Sequence, residues 1–273
     1  MDTLDSNKLK EEIGRSCSAV EDEVGEKFSR YFRENFGESL LAVILYGSCL
    51  NEKTRTPTSI HDFYLIVDSY WKFYQKKLHA LLNLFLPPNS FNLKINDEQH
   101  HHPLFCKYNV ISLERFKKET SSQAKDIYHF GRFGKRVGIV WVKSESIRQE
   151  LLNCFYQAIR TNVLYTIPTL PDEFTLKDFL LSALSLSYQG ETRTENDNKV
   201  QEFYEAEKPF YQVIYGSFLN HFIVQHSIIK DPATGTYRFQ EKGPQRELEK
   251  KRIESFLKKS KGDYRGHILN INY

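Results

Sequence analysis

Gly47 and Ser48 close an apolar run, Leu41-Ala42-Val43-Ile44-Leu45-Tyr46, and after 13 further residues Asp62 opens a second, Phe63-Tyr64-Leu65-Ile66-Val67-Asp68. These three residue types suit phosphate and divalent-cation chemistry. Glycine lets backbone N–H groups approach a phosphate closely, and serine adds a hydroxyl donor. An aspartate on the neighbouring strand can hold Mg²⁺ over a reacting phosphate. Tyr46, Gly47 and Ser48 are therefore the expected nucleotide-facing turn, and Asp62 the expected metal ligand and catalytic carboxylate.

Two strands must position this pair, because both runs are short, apolar and bounded by turn residues. A strand, a Gly-Ser turn and a strand that opens on aspartate are the layout of a nucleotidyltransferase active site. The same spacing recurs at Tyr215-Gly216-Ser217 and Asp231. There, Pro209 to Ile214 reads as a helix entered at proline and Asp231-Pro232-Ala233-Thr234-Gly235 as a turn, so the second copy is a decoy.

In the second run Phe63, Leu65 and Val67 face one side, the expected core, and Asp62, Tyr64, Ile66 and Asp68 the other. Nucleotidyltransferases commonly carry a second acid two residues after the first; Tyr64 stands there. Asp62 and Asp68 lie about 20 Å apart along a strand, too far to share an ion. Asp68 is excluded as a co-ligand.

The chain has 273 residues, 40% apolar and 27% charged, which allows a large domain or a catalytic domain with additions. No apolar stretch approaches the roughly 20 residues that span a bilayer. The acidic start, Met1-Asp2-Thr3-Leu4-Asp5, has neither a signal core nor an Arg-rich transit helix, so the expected location is cytoplasmic. Cys17, Cys49, Cys106 and Cys154 form no CxxC pair, which argues against a disulfide framework or zinc ribbon. His100-His101-His102 reads as a solvated loop, since adjacent histidines diverge and lack companions at ligand spacing. No basic stripe interleaved with aromatics suggests nucleic acid. The net charge of +3 is uneven: between Arg246 and Arg265 stand eight Lys/Arg against four Asp/Glu.

Residues 7–36 read as helical, ending at a C-cap, Gly37. Lys76 to Phe85 reads as an amphipathic helix stopped by Pro87-Pro88, and Ser90 to Ile95 and Lys107 to Ser112 as strands. From Leu113 to Ile229 the pattern is mostly helical, broken by a strand at 137–142. In the tail, Ile253, Phe256 and Leu257 share a helical face among Lys250, Lys251, Arg252, Lys258, Lys259 and Lys261. That pattern suits a basic amphipathic helix on an anionic membrane, and equally a soluble charged helix.

Three further segments, in order, carry a resemblance. Lys107-Tyr108-Asn109-Val110-Ile111-Ser112, then Ile127-Tyr128-His129-Phe130-Gly131-Arg132-Phe133-Gly134-Lys135-Arg136-Val137, is similar to a "KYGVIS … LYxAGRLxKPV" region. Leu186-Ser187-Tyr188-Gln189-Gly190-Glu191-Thr192-Arg193, followed by Asn198-Lys199-Val200, is similar to "LSYxGDxRM … xKV". With "YGS … DFxFxV" ahead of them, they resemble the mitochondrial translocator assembly and maintenance family, peripheral-membrane phosphatidate cytidylyltransferases with relatives in bacteria. The resemblance runs from about Leu41 to Leu219. It departs at Glu191, where the family has aspartate, and at Thr194, where it has methionine.

The resemblance implies an α+β chain: a nucleotidyltransferase domain over 1–112, a winged-helix-like helical domain over 113–230, and a membrane-contact tail over 231–273. It implies the substrates CTP and phosphatidate, Mg²⁺ as cofactor, CDP-diacylglycerol and pyrophosphate as products, and a peripheral site on an anionic membrane. Glu191 is the candidate to complete a metal site with Asp62. Arg193 and Lys199 are candidate catalytic cations, and Arg132 and Lys135 candidate nucleotide contacts. A phosphatidate phosphomonoester is largely dianionic at neutral pH and needs no general base. Two other readings stay open: transfer to a different acceptor (protein, RNA end or small molecule), or a nucleotide-binding module without turnover, for which Tyr64 in place of the second acid is the chief support.

Overall fold

In a computed structural model the described residues are 6–18, 22–50, 55–56, 59–74, 76–85, 89–96, 103–188, 197–223, 225–240, 244–264 and 270–271. The helices among them are α1 (Ser6–Ser18), α2 (Glu23–Phe36), α3 (Tyr70–Phe73), α4 (Lys77–Phe85), α5 (Leu113–Glu119), α6 (Tyr128–Phe133), α7 (Glu145–Thr166), α8 (Leu176–Tyr188), α9 (Asp197–Ala206), α10 (Lys208–Phe210), α11 (Gly216–Phe222) and α12 (Pro244–Tyr264). The strands are β1 (Leu40–Tyr46), β2 (His61–Val67), β3 (Asn89–Ile95), β4 (Leu104–Ser112), β5 (Gly138–Val142), β6 (Glu173–Phe174), β7 (Ile228–Lys230), β8 (Tyr237–Phe239) and β9 (Asn270–Ile271). The fold is α+β.

The chain forms two compact units whose segments interleave. One comprises Gly14–Lys118, Arg136–Leu152 and Gly266–Tyr273; the other Met1–Ile13, Glu119–Lys135 and Asn153–Arg265. The first holds a mixed sheet of order β5-β1-β2-β4-β3-β9. β1 runs antiparallel to both β2 and β5, whereas β2 and β4 are parallel. The segment read as a strand-like break in the helical region is β5, and it completes this sheet.

One face of the sheet carries the core. Phe63, Leu65 and Val67 pack with Val43, Leu45, Phe91 and Val110 under Phe28 and Phe32 of α2. The amphipathic spacing of α2 explains that docking, and Gly37 ends the helix in the left-handed region at φ +53°. The parity expected for β2 holds. Its other face is not open, however, because Tyr64 and Ile66 are as fully buried as the core residues. β2 is a central strand, buried on both faces, which the apolar side chains at alternate positions permit.

The second unit is helical with a small antiparallel sheet of order β6-β8-β7. Strands of two or three residues have no readable periodicity, so β6, β7 and β8 are absent from the sequence pattern. Ile253 and Leu257 of α12 are buried, and Phe256 stacks at 6.4 Å on Phe130 and edge-on at 5.3 Å to Tyr165. Of the two readings of this face, packing favours the charged helix: the three residues are the face by which α12 docks within its own unit. Arg246 fixes the start of α12 through Asp172 Oδ1 at 2.8 Å and the Leu170 carbonyl. All four cysteines are buried and unbridged.

Candidate active site

The antiparallel register of β1 and β2 sets Tyr46 opposite Asp62, so the turn after β1 opens beside the first acid of β2. Gly47 takes φ +84°, a conformation that a side chain makes costly. Leu50 N–H donates to the Gly47 carbonyl at 3.2 Å, starting a 3₁₀ turn over Ser48–Leu50. Gly47 and Ser48 are exposed and Asp62 is half-buried, so the turn and the carboxylate both meet solvent.

The parallel partner strand adds a cation. β4 aligns Lys107 with Asp62 and Asn109 with Tyr64, and register partners share a face of the sheet. Lys107 is exposed. Asn109 Nδ2 donates to the Tyr46 hydroxyl at 2.8 Å, while Ser90 Oγ donates to Asn109 Oδ1 at 2.5 Å. The rings of Tyr46 and Tyr64 stand 5.2 Å apart. Tyr64, in the position of a second acid, thus helps hold Tyr46. Motif spacing does not single out Lys107 or Asn109; the period-2 alternation of Lys107-Tyr108-Asn109 puts both on one face of β4, and the pairing with β2 makes that the Asp62 face.

Behind Asp62 the sheet end is braced by charge. His61 Nε2 stands 2.9 Å from Asp22 Oδ2, both side chains only 3% exposed, and Arg55 Nη1 reaches Asp22 Oδ1 at 2.9 Å. Burial by itself would lower the His61 pKa; its hydrogen bonds with Asp22 and Cys49 and the charges there outweigh that and raise it to about 9. Burial by itself would raise the Asp22 carboxyl, but the hydrogen bond and charge of His61, with the Gly25 amide and Arg55, hold it below the usual range. The Cys106 thiol, in register with His61, is pushed up by burial and then by the charge of Asp62.

Arg132 and Lys135 belong to the helical unit. The Arg132 guanidinium lies 4.6 Å from the Tyr128 ring, and the Lys135 ammonium 3.9 Å from the ring of Tyr188, the last residue of α8. A Cβ on Gly131 would meet the Ser187 carbonyl at 3.0 Å, so glycine lets α6 and α8 approach closely. Tyr215 donates to the Gly134 carbonyl at 2.6 Å. Two segments far apart in sequence, Tyr128–Lys135 and Leu186–Tyr188, are thereby brought together. Glu191 and Arg193 lie outside the described residues, as do His100 to His102. Lys199 falls on α9, its side chain outside the description.

The decoy motif is structural. Tyr215 closes a π-helical turn, Tyr211–Tyr215, and Gly216 opens α11. Asp231 caps a turn, accepting from the Ala233 N–H and the Thr234 hydroxyl at 2.8 Å each. Among the described residues no cluster of three His, Cys, Asp or Glu could hold a metal, and no helix is long and apolar enough to cross a membrane.

No curated relative matches the chain. A family model, described as mitochondrial phosphatidate cytidylyltransferase, matches residues 91–259. The match begins on β3 and ends on α12, so it takes in Lys107, Arg132, Lys135, Glu191, Arg193 and Lys199, whereas Gly47, Ser48 and Asp62 precede it. Covering well over half of the sequence, it shows that the chain belongs to the phosphatidate cytidylyltransferase family, enzymes that join CTP and phosphatidate into CDP-diacylglycerol.

Proposed function

We propose that the Tyr46–Ser48 turn, Asp62 and Lys107 form the triphosphate end of the cytidylyltransferase site. The observation that carries this reading is the three-strand register, which sets the positive-φ turn on one side of Asp62 and a lysine on the other. Amides around Gly47 and the Ser48 hydroxyl would take phosphate oxygens, and Lys107 would balance their charge.

Mg²⁺ fits this donor set. It commonly takes one or two carboxylates and completes its shell with substrate phosphates and water, so Asp62 suffices from the sheet. When bound, the ion would neutralise charge on the triphosphate. Arg132, Lys135, Arg193 and Lys199 remain candidate contacts for substrate phosphates, as the family resemblance implies. In the reaction a phosphatidate oxygen bonds to the α-phosphorus of CTP as the bridge to the β-phosphate breaks, and pyrophosphate leaves with the electron pair. The incoming phosphate is already deprotonated, so no residue has to act as base. A lipid substrate would bring such an enzyme to a membrane surface as a peripheral protein.

The test is purified protein with Mg²⁺, each of the four NTPs and phosphatidate. CTP alone is expected to give lipid-linked nucleotide and pyrophosphate in equal amounts. Equal turnover of all four NTPs, or transfer only to a non-lipid acceptor, would reject this reading.

A further inference from the structure

The helix α4 is turned inside out. Ala80 and Asn83 are fully buried, whereas Leu78 is 63%, Leu81 42% and Phe85 71% exposed. At 3.6 residues per turn, 78, 81 and 85 lie on one face, with Leu82 beside them, and 80 and 83 lie on the opposite one. Polar bonds lock this orientation. Asn83 Oδ1 accepts from the Tyr74 hydroxyl at 2.6 Å and from Asn89 N–H at 3.2 Å, and Asn83 Nδ2 donates to the Val110 carbonyl at 3.0 Å. Asn89 Nδ2 donates to the His79 carbonyl at 3.1 Å. Rolling the leucines inward would break these four hydrogen bonds, three of them buried.

Trp71, on the neighbouring α3, is also 54% exposed. Lys76 and Lys77 lead into α4, whereas Lys72 of α3 pairs with Asp68 at 2.6 Å and Lys94 of β3 lies over the Phe105 ring, on the sheet face away from α4. Lys72, Lys76 and Lys77 are exposed. An outward apolar stripe with a tryptophan on the neighbouring helix and Lys76 and Lys77 at its start is complementary to an anionic lipid surface, where lysines meet headgroups and leucines meet the acyl boundary. Lysine is depleted in protein–protein interfaces, so a lysine-flanked stripe suits lipid headgroups better.

We propose that α4, with Trp71, is the surface by which this protein docks on an anionic bilayer leaflet. The proposal rests on the phosphatidate cytidylyltransferase reading only for the reason to meet a membrane; the surface itself is read from exposure, packing and charge. The helix supplies its outward face while its polar face keeps it fixed to β3 and β4.

The chain has two tryptophans, so a Trp141→Phe background leaves Trp71 as the sole reporter. Adding vesicles of phosphatidylcholine with phosphatidylglycerol is expected to shift Trp71 emission to the blue, and pure phosphatidylcholine to do so far less. Added salt should weaken the effect. Leu81→Ser with Phe85→Ser should weaken vesicle partitioning by roughly tenfold per residue, with an unchanged melting temperature and full activity on short-chain, water-dispersed phosphatidate. The proposal is overturned if Trp71 emission stays fixed while the protein sediments with vesicles. It also fails if the double variant partitions like the parent, or if the face instead mediates concentration-dependent self-association. Loss of activity of the parent on short-chain phosphatidate would instead count against the cytidylyltransferase site and leave the vesicle result standing.

Discussion

A Cβ placed on Gly47 would stand 3.4 Å from Oδ2 of Asp62. The turn and the carboxylate thus stand side by side, and a side chain at position 47 would be in van der Waals contact with Asp62. Position 47 also sits at φ +84°, so any side chain there is strained before it meets anything.

Gly47→Ala is accordingly expected to cost about 1–3 kcal/mol of stability and to lower turnover by displacing the amides that face the triphosphate. Thermal melting and steady-state kinetics check both. A variant with parental stability and turnover would show that the turn relaxes freely and does not set the site.

Asp62→Asn removes the carboxylate while keeping its shape. Turnover should fall about 100-fold or more, beyond the ~10–100-fold typical of losing a group that only supports a metal ligand, with the melting temperature nearly unchanged. The control is Asp231→Asn in the second Tyr-Gly-Ser motif, where the acid only caps an exposed turn. Its activity should match the parent; equal loss in both variants would undo the assignment of Asp62.

Lys107→Met tests the cation in register with Asp62. Loss of one charge-assisted contact to the nucleotide, ~1.4 kcal/mol, should raise the KM for CTP roughly tenfold and change the KM for phosphatidate little. An unchanged KM for CTP would exclude Lys107 from the triphosphate.

The buried Asp22–His61 pair makes stability depend on pH. With the His61 pKa raised to about 9, its contribution is full below the unfolded value of ~6.5 and is lost as pH rises through about 9. The depressed Asp22 carboxyl contributes above its ordinary 3.8 and loses that as pH falls through its folded value. Unfolding titrations should therefore show the pair's effect greatest between about pH 4 and 6.5 and declining toward pH 9. Asp22→Asn should cost ~3–5 kcal/mol near pH 6, the penalty for leaving a buried partner unpaired, and flatten the alkaline slope. An alkaline slope that survives in Asp22→Asn would assign it to other groups.

The sequence by itself determined the elements whose residues obey one periodicity. β1, β2 and the end of α2 at Gly37 follow from apolar runs and a glycine stop, and the Gly47–Ser48 turn followed by Asp62 follows from spacing. Flanking context set this motif apart from its copy at Tyr215, because strands flank one and a helix and a turn flank the other. Tertiary structure decided what depends on neighbours far away in the chain. Lys107 became a partner of Asp62 only through the parallel pairing of β2 with β4, a register that no local pattern encodes. The apolar stripe of α12 and that of α4 look alike in sequence, yet Ile253 and Leu257 are buried while Leu78 and Phe85 are exposed. Hydrophobic periodicity says that a face exists; which face is covered depends on what packs there, and in α4 the hydrogen bonds of Asn83 turned the polar side inward.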